Sequence, residues 1–140
     1  MNKKLKHLEF IQGIINRMAQ NSFMLKGWAI TLIVGIFTLL AKDVDERYAL
    51  VLFFPIVFFW GLDSYYLLQE RLYRSLYQKV AQLTEDEIDF SLSATQKEFS
   101  NKKNCFWRCF FSKTELIFYF SLTMVCTVII ITNVKVGQLV

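Results

Sequence analysis

The sequence predicts an all-α membrane protein with three transmembrane helices, and three observations predict it. Within 140 residues, the apolar runs 23–41, 48–68 and 116–134 each approach or reach membrane-spanning length. An α-helix rising about 1.5 Å per residue needs roughly 20 residues to cross a hydrocarbon core about 30 Å thick. The runs are also nearly free of charge. The third carries none between Glu115 and Lys135, the first holds only Lys26 near its start, and the second only Asp63 near its end. Finally, a chain that is 54% hydrophobic contains a single proline, Pro55, and 5 glycines, so nearly all of it should be helix. Lipid cannot satisfy backbone groups, which leaves helices or closed barrels, and these runs are too continuous for barrel strands.

Residues 1–22 read as a basic amphipathic cytoplasmic helix. Leu5, Leu8, Ile11, Ile15 and Met18 recur at spacings of three and four, while Glu9, Gln12, Gly13, Asn16 and Gln20 share another face. No proline or loop cluster separates this segment from the first transmembrane helix, residues 23–42, so the two can run on as one helix. An interfacial helix lying flat is the alternative. A cleavable signal peptide is the rival reading of the first run, but the preceding arm is too long and Ala41 is followed by Lys42 and Asp43. Residues 43–47 form an outer turn within the net-acidic KDVDER, and residues 48–68 form the second transmembrane helix.

Beyond it, Tyr65, Leu68, Leu72, Leu76, Val80 and Leu83 continue the helical period into the segment 69–115. Glu70 and Arg74, four apart in the favourable order, add a few tenths of a kcal/mol. The pattern breaks at TEDE, where Thr84 and Glu87 have capping-box spacing, and at the Ser-rich IDFSLSAT, giving a short acidic elbow. Residues 96–104 are polar and expected to be exposed. CFWRCFFSK then sets Phe106, Trp107, Phe110 and Phe111 beside Arg108 and Lys113, the chemistry of an interfacial helix at head-group depth. Residues 116–134 form the third transmembrane helix and residues 135–140 an outer tail.

Lysine and arginine set the orientation. The N-terminal arm, counted with Lys26 just beyond it, and the segment 69–115 hold 13 of the 16 basic residues, leaving Lys42, Arg47 and Lys135 on the other side. The positive-inside rule places the N-terminus in the cytoplasm and the C-terminus outside. The formal charge of +4 fits anionic lipid head groups beside the arm, with an anionic ligand as the alternative.

No enzyme signature is present. His7 is the only histidine and sits in the basic arm, so no Ser-His-Asp triad, zinc deaminase motif or histidine-based metal site is expected. Cys105 and Cys109, four apart on an expected helix, and Cys126 within the third run read as small apolar filler kept reduced at a cytoplasmic interface. No glycine loop for phosphates and no internal repeat occurs, and too little chain lies outside the membrane for a large catalytic domain.

Three constellations carry functional information. Gly27, Thr31 and Gly35, with Thr38 beyond, form a small-residue stripe that lets another helix backbone approach closely; lining a pore is its other use. Ser121, Thr123, Thr127 and Thr132 make a weaker polar track whose hydroxyls can bond their own helix. Lys26 and Asp63 stand at equal sequence distance from the outer turn, so two antiparallel helices would bring them level near the inner boundary. Pairing would relieve an insertion cost of about 2.5 to 3.5 kcal/mol per buried charge. Separate snorkelling to water, or donation to the carboxylate from Tyr65 or Tyr66, would serve as well. Third, Arg71, Arg74 and Lys79 interleave with Tyr73 and Tyr77. Cations with stackable rings suit a nucleotide oligomer, at about 1 to 3 kcal/mol per stacked base. The two tyrosines equally fit packing against a neighbouring cytoplasmic helix.

NSFMLKGW, FFPIVFFWGLDSYYLLQERLYRSLY, the DFSL elbow and the spaced Trp107, Phe111, Ser112 and Thr114 cover most of the chain. In these motifs it resembles a family of small bacterial three-span proteins, the membrane effectors of nucleotide-signalled antiphage systems such as the Hailong system. The resemblance implies a homo-oligomeric ion channel, a tetramer, in the bacterial inner membrane. A partner nucleotidyltransferase would make oligodeoxyadenylate that holds the channel closed, and loss of that ligand during infection would open it. A channel of this kind requires assembly into a homo-oligomeric bundle, since three helices cannot enclose a pore without copies. A non-conducting membrane assembly or lipid-binding subunit is the alternative.

Overall fold

The computed structural model describes residues 3–40, 51–100 and 104–137, and the outer turn 43–47 and the last residues of the tail lie outside them. The described residues are helical and irregular, without strands: α1 (Lys3–Leu40), α2 (Phe53–Gln82), α3 (Phe106–Phe110) and α4 (Lys113–Gly137). The arm and the first apolar run are one uninterrupted helix of 38 residues. With no proline in its interior, nothing forces a break. Pro55 sits in the first turn of α2, where its missing N–H has no partner to lose.

Helices α1 and α4 are long and apolar enough to cross a membrane, and only 11% and 17% of their apolar windows are buried within the chain. A core helix of a water-soluble protein would be mostly covered. Phe23, Trp28, Leu39, Ile117 and Phe120 all point outward. Among the described residues α2 does not reach the same apolar length. Its run is diluted by Asp63, Ser64, Tyr65 and Tyr66, and its expected first residues, 48–50, lie outside the described segment.

Helices α1 and α2 pack antiparallel in one register, so each step along α1 is matched by a step back along α2. Ile11 and Ile15 meet Leu76 and Val80 at one end, Lys26 meets Asp63 midway, and Ile33 shares a cluster with Ile56 at the other. The buried stripe of the arm is His7, Ile11 and Ile15; Leu5, expected on that face, is exposed. The elbow explains the change. Phe90 adopts a left-handed backbone with φ of 53° and sets its ring edge-on to His7 at 5.5 Å. Such a conformation costs a bulky residue about 1–3 kcal/mol and persists only where packing holds it.

Helix α2 ends at Gln82, and Lys4 Nζ donates to the carbonyls of Ala81 at 3.0 Å and Leu83 at 2.6 Å. A cation at a helix C-terminus satisfies orphan carbonyls and opposes the macrodipole. Part of the basic arm thus serves the fold. The turn Glu85–Glu87 follows, with the Glu87 carboxylate accepting from the Thr84 N–H at 2.9 Å and hydroxyl at 2.8 Å. Within the polar stretch expected to be exposed, Asn104 is buried, donating to Ser75 Oγ at 3.1 Å and Phe99 O at 3.0 Å. The aromatic segment forms only the short α3, with Cys105 before it and Cys109 buried against Leu68 and Leu72. Burial pushes the Cys109 thiol up, with Arg71 partly offsetting, which suits filler better than a nucleophile.

Two outcomes test this packing. Truncating Ile11, fully buried between α1 and α2, should cost about 2–5 kcal/mol and loosen the N-terminal end of α1 and the C-terminal end of α2 in detergent unfolding and proteolysis. Backbone and side-chain hydrogen bonds from Thr84 hold the Glu87 carboxyl below its ordinary value of 4.5. The elbow therefore gains stability that is complete above that value and lost as pH falls through the lower folded one. Thr84→Ala should return the Glu87 titration, followed by NMR, toward the ordinary value.

Candidate functional site

A polar cluster sits where α1, α2 and α4 converge. Ser22 and Lys26 come from successive turns of α1, Asp63 from α2, and Glu115 and Tyr119 from successive turns of α4. Asp63 is 0% exposed, Glu115 1% and Tyr119 0%. Ser22 Oγ donates to Asp63 Oδ1, and Lys26 Nζ forms an ion pair with Asp63 Oδ2. Lys26 also reaches Glu115 Oε1 at 3.1 Å and Ser22 Oγ at 3.2 Å, while the Tyr119 hydroxyl donates to Asp63 Oδ2 at 3.1 Å. Asp63 thus accepts from one donor on one oxygen and two on the other. Among the described residues Glu115 Oε2 has no hydrogen-bond partner.

Local packing aims each of these groups. Trp60, one turn before Asp63, lies between Phe110 and Tyr119, stacked at 4.3 Å and 5.7 Å between centroids. Its indole N–H donates to Phe110 O at 2.9 Å. That stack fixes α4 against α2 and brings the Tyr119 hydroxyl to Asp63. Lys26 lies 5.7 Å over the Phe118 ring. Two carboxylates and one ammonium share this volume, an arrangement that costs desolvation unless its hydrogen bonds are completed.

The sequence-based pairing of Lys26 with Asp63 is present, and Tyr119, not Tyr65 or Tyr66, supplies the phenol. Tyr65 and Tyr66 instead meet each other edge-on at 5.8 Å. Gly27, Thr31, Gly35 and Thr38 face away from α2, and a Cβ added at Gly27 or Gly35 meets nothing within 4 Å. The Thr31 hydroxyl donates to its own helix at Gly27 O, 3.0 Å away. Thr123, Thr127 and Thr132 do the same along α4.

The five residues expected to bind a ligand are divided between different faces of α2. Tyr73 and Tyr77 flank the buried Leu72, Leu76 and Val80 stripe and pack against the core formed with Ile11 and Ile15. Lys79 pairs with Glu98 at 2.8 Å; that hydrogen bond and its charge raise the lysine pKa. Arg71 and Arg74 turn the other way, into an open cleft of about 1010 Å³ whose far wall carries Trp107, Arg108, Phe111 and Lys113. The helical phase was already in the sequence: Arg71, Arg74, Ser75 and Gln78 recur at three and four on a face that adjoins that of the tyrosines without being centred on it. Among the described residues no group of three or more His, Cys, Asp and Glu side chains is placed to hold a metal ion.

The cluster makes unequal demands on its two carboxylates. Asp63→Asn removes the charge that Lys26 meets and turns one of the two acceptor oxygens into an NH2 donor, and should cost about 3–5 kcal/mol in detergent unfolding. Glu115→Gln, which touches a single ion pair, should cost less, and the double exchange Lys26→Asp with Asp63→Lys should recover part of the Lys26→Asp loss.

No known protein family, curated protein or solved structure matches the chain.

Proposed function

We propose that this chain is the subunit of a homo-oligomeric ion channel in the bacterial inner membrane, a defence effector held closed by a nucleotide-oligomer ligand. In this reading α2 is a third crossing, the N-terminus is cytoplasmic and the C-terminus outside. The observation that carries the reading is the buried Lys26, Asp63, Glu115 and Tyr119 cluster between two helices of membrane-spanning length. Ionisable groups at membrane depth are costly, and ion pathways are a frequent reason for their presence. Three helices cannot surround a conduit, so copies must assemble. The outward stripe of Gly27, Thr31 and Gly35 offers the close-packing face. The ligand, oligodeoxyadenylate from a partner nucleotidyltransferase, and a tetrameric number rest on the resemblance in NSFMLKGW, DFSL and the spaced Trp107, Phe111, Ser112 and Thr114.

The exposed Trp107 and Phe111 favour a second reading, a non-conducting membrane assembly or lipid-binding subunit. Purified protein in liposomes separates the two. A channel gives ion flux that oligodeoxyadenylate suppresses with salt-sensitive affinity. Asp63→Asn should raise the flux remaining at saturating ligand, because the closed bundle loses its buried tie. Gly35→Leu should leave the folded chain intact while shifting the assembly toward monomer in size-exclusion light scattering. Absence of flux under all these conditions rejects conduction.

A further inference from the structure

The cleft holding Arg71 and Arg74 continues directly into a second cavity. Lys113 and Thr114 line both. From there an apolar groove of about 600 Å³ descends along α4, walled by Ile117, Phe118, Leu122 and Val125. The two halves differ sharply in chemistry. Arg71, Arg74, Arg108 and Lys113 line the upper one and no carboxylate does, although Arg74 also pairs with Glu70 at 2.8 Å. The lower half carries only Ser121 and the shared Lys113 and Thr114 among its apolar lining.

We infer that this continuous surface is a site for one anionic phospholipid, with its phosphate-bearing head group among the four cations and an acyl chain along the groove of α4. Three features favour a lipid over a soluble anion. The boundary between the halves falls at Lys113, the first residue of the helix long enough to cross the membrane, which sets the cations at head-group depth and the groove below it. Trp107 and Phe111, 65% and 59% exposed, stack at 6.4 Å beside the cations, in the interfacial position where amphipathic rings settle. A groove of this polarity gives a soluble phosphate or oligonucleotide no counterpart. The upper cleft is near the top of the size range of small-molecule sites, about 300–1,000 Å³. Asn104 holds the start of α3 to α2 through Ser75, so the opposing cationic walls form part of the fold.

Native mass spectrometry of the full chain in neutral detergent tests the site, with phosphatidylglycerol, phosphatidylcholine, glycerol phosphate and oligodeoxyadenylate as separate probes. Phosphatidylglycerol should be retained in preference to phosphatidylcholine. Its retention should fall about fivefold for each cation removed in Arg108→Gln and Lys113→Gln, both exposed positions. Val125→Trp, which fills the groove from an exposed site, should weaken phosphatidylglycerol without restoring binding to phosphatidylcholine. Equal retention of the two lipids overturns the inference. So does binding of glycerol phosphate as tight as that of the lipid, or a cation dependence seen only with oligodeoxyadenylate, which would give the cleft to a soluble ligand. Unchanged lipid retention in Arg108→Gln with Lys113→Gln also overturns it.

Discussion

Three helices meet at one ion pair, in which Lys26 of α1 reaches Asp63 on α2 and Glu115 on α4, and the acceptor with the most donors is Asp63. It accepts from Ser22 and Lys26 on α1 and from Tyr119 on α4, and it stands on α2 one turn beyond the Trp60 stack. In an apolar surrounding each of those donors would be expensive to leave unmatched. The direction of each helix in the bundle is therefore constrained by one carboxylate. The apolar contacts above and below it, Ile33 with Ile56 and Ile11 with Leu76, are less directional. A hydrophobic interface tolerates a slide of one turn; a carboxylate with three named donors does not. The polar cluster supplies the register, and the leucines and isoleucines supply most of the burial.

The distribution of function along the chain follows the same division. At one level the molecule is a tied bundle with an apolar exterior. At the other it is a polar-capped end in which α1 and α2 continue, Lys4 closes the end of α2 and the elbow wraps back across His7. The short α3 lies between the two levels. Its carbonyl at Phe110 receives the Trp60 indole, and its Cys109 fills the gap against Leu68 and Leu72. Any ligand acting on the cationic cleft touches α2 and α3 together, one helical segment away from the buried charges.

The long helices were legible in the sequence because length and periodicity are local properties. The pairing of Lys26 with Asp63 was legible for a geometric reason: two helices joined by a short turn must run antiparallel, so counting from the turn gives depth. The contributions of Glu115 and Tyr119 could not be counted in the same way. Between α2 and α4 the chain passes through a 3-10 turn, a left-handed Phe90 and a five-residue helix. No periodicity measures the net rise of such a path. Composition of a segment does not resolve which face each residue takes: Tyr73 and Tyr77 share the segment of Arg71 and Arg74, yet the tyrosines pack on the core with Ile11 and Ile15 while the arginines line the cleft. His7 was hidden similarly, since its burial depends on the distant Phe90.

Because α1 runs from the elbow to the far side of the apolar region without a break, its two ends are not mechanically independent. At about 1.5 Å per residue its 38 residues extend roughly 57 Å. A straight helix resists bending and axial twist far more than a loop does. A small rotation imposed where Ile11 and Ile15 meet α2 must reappear at Gly27 and Gly35, turning the small-residue face with it. No break in α1 separates the end packed on α2 through Ile11 and Ile15 from the small-residue face at Gly27 and Gly35, so one helix carries both.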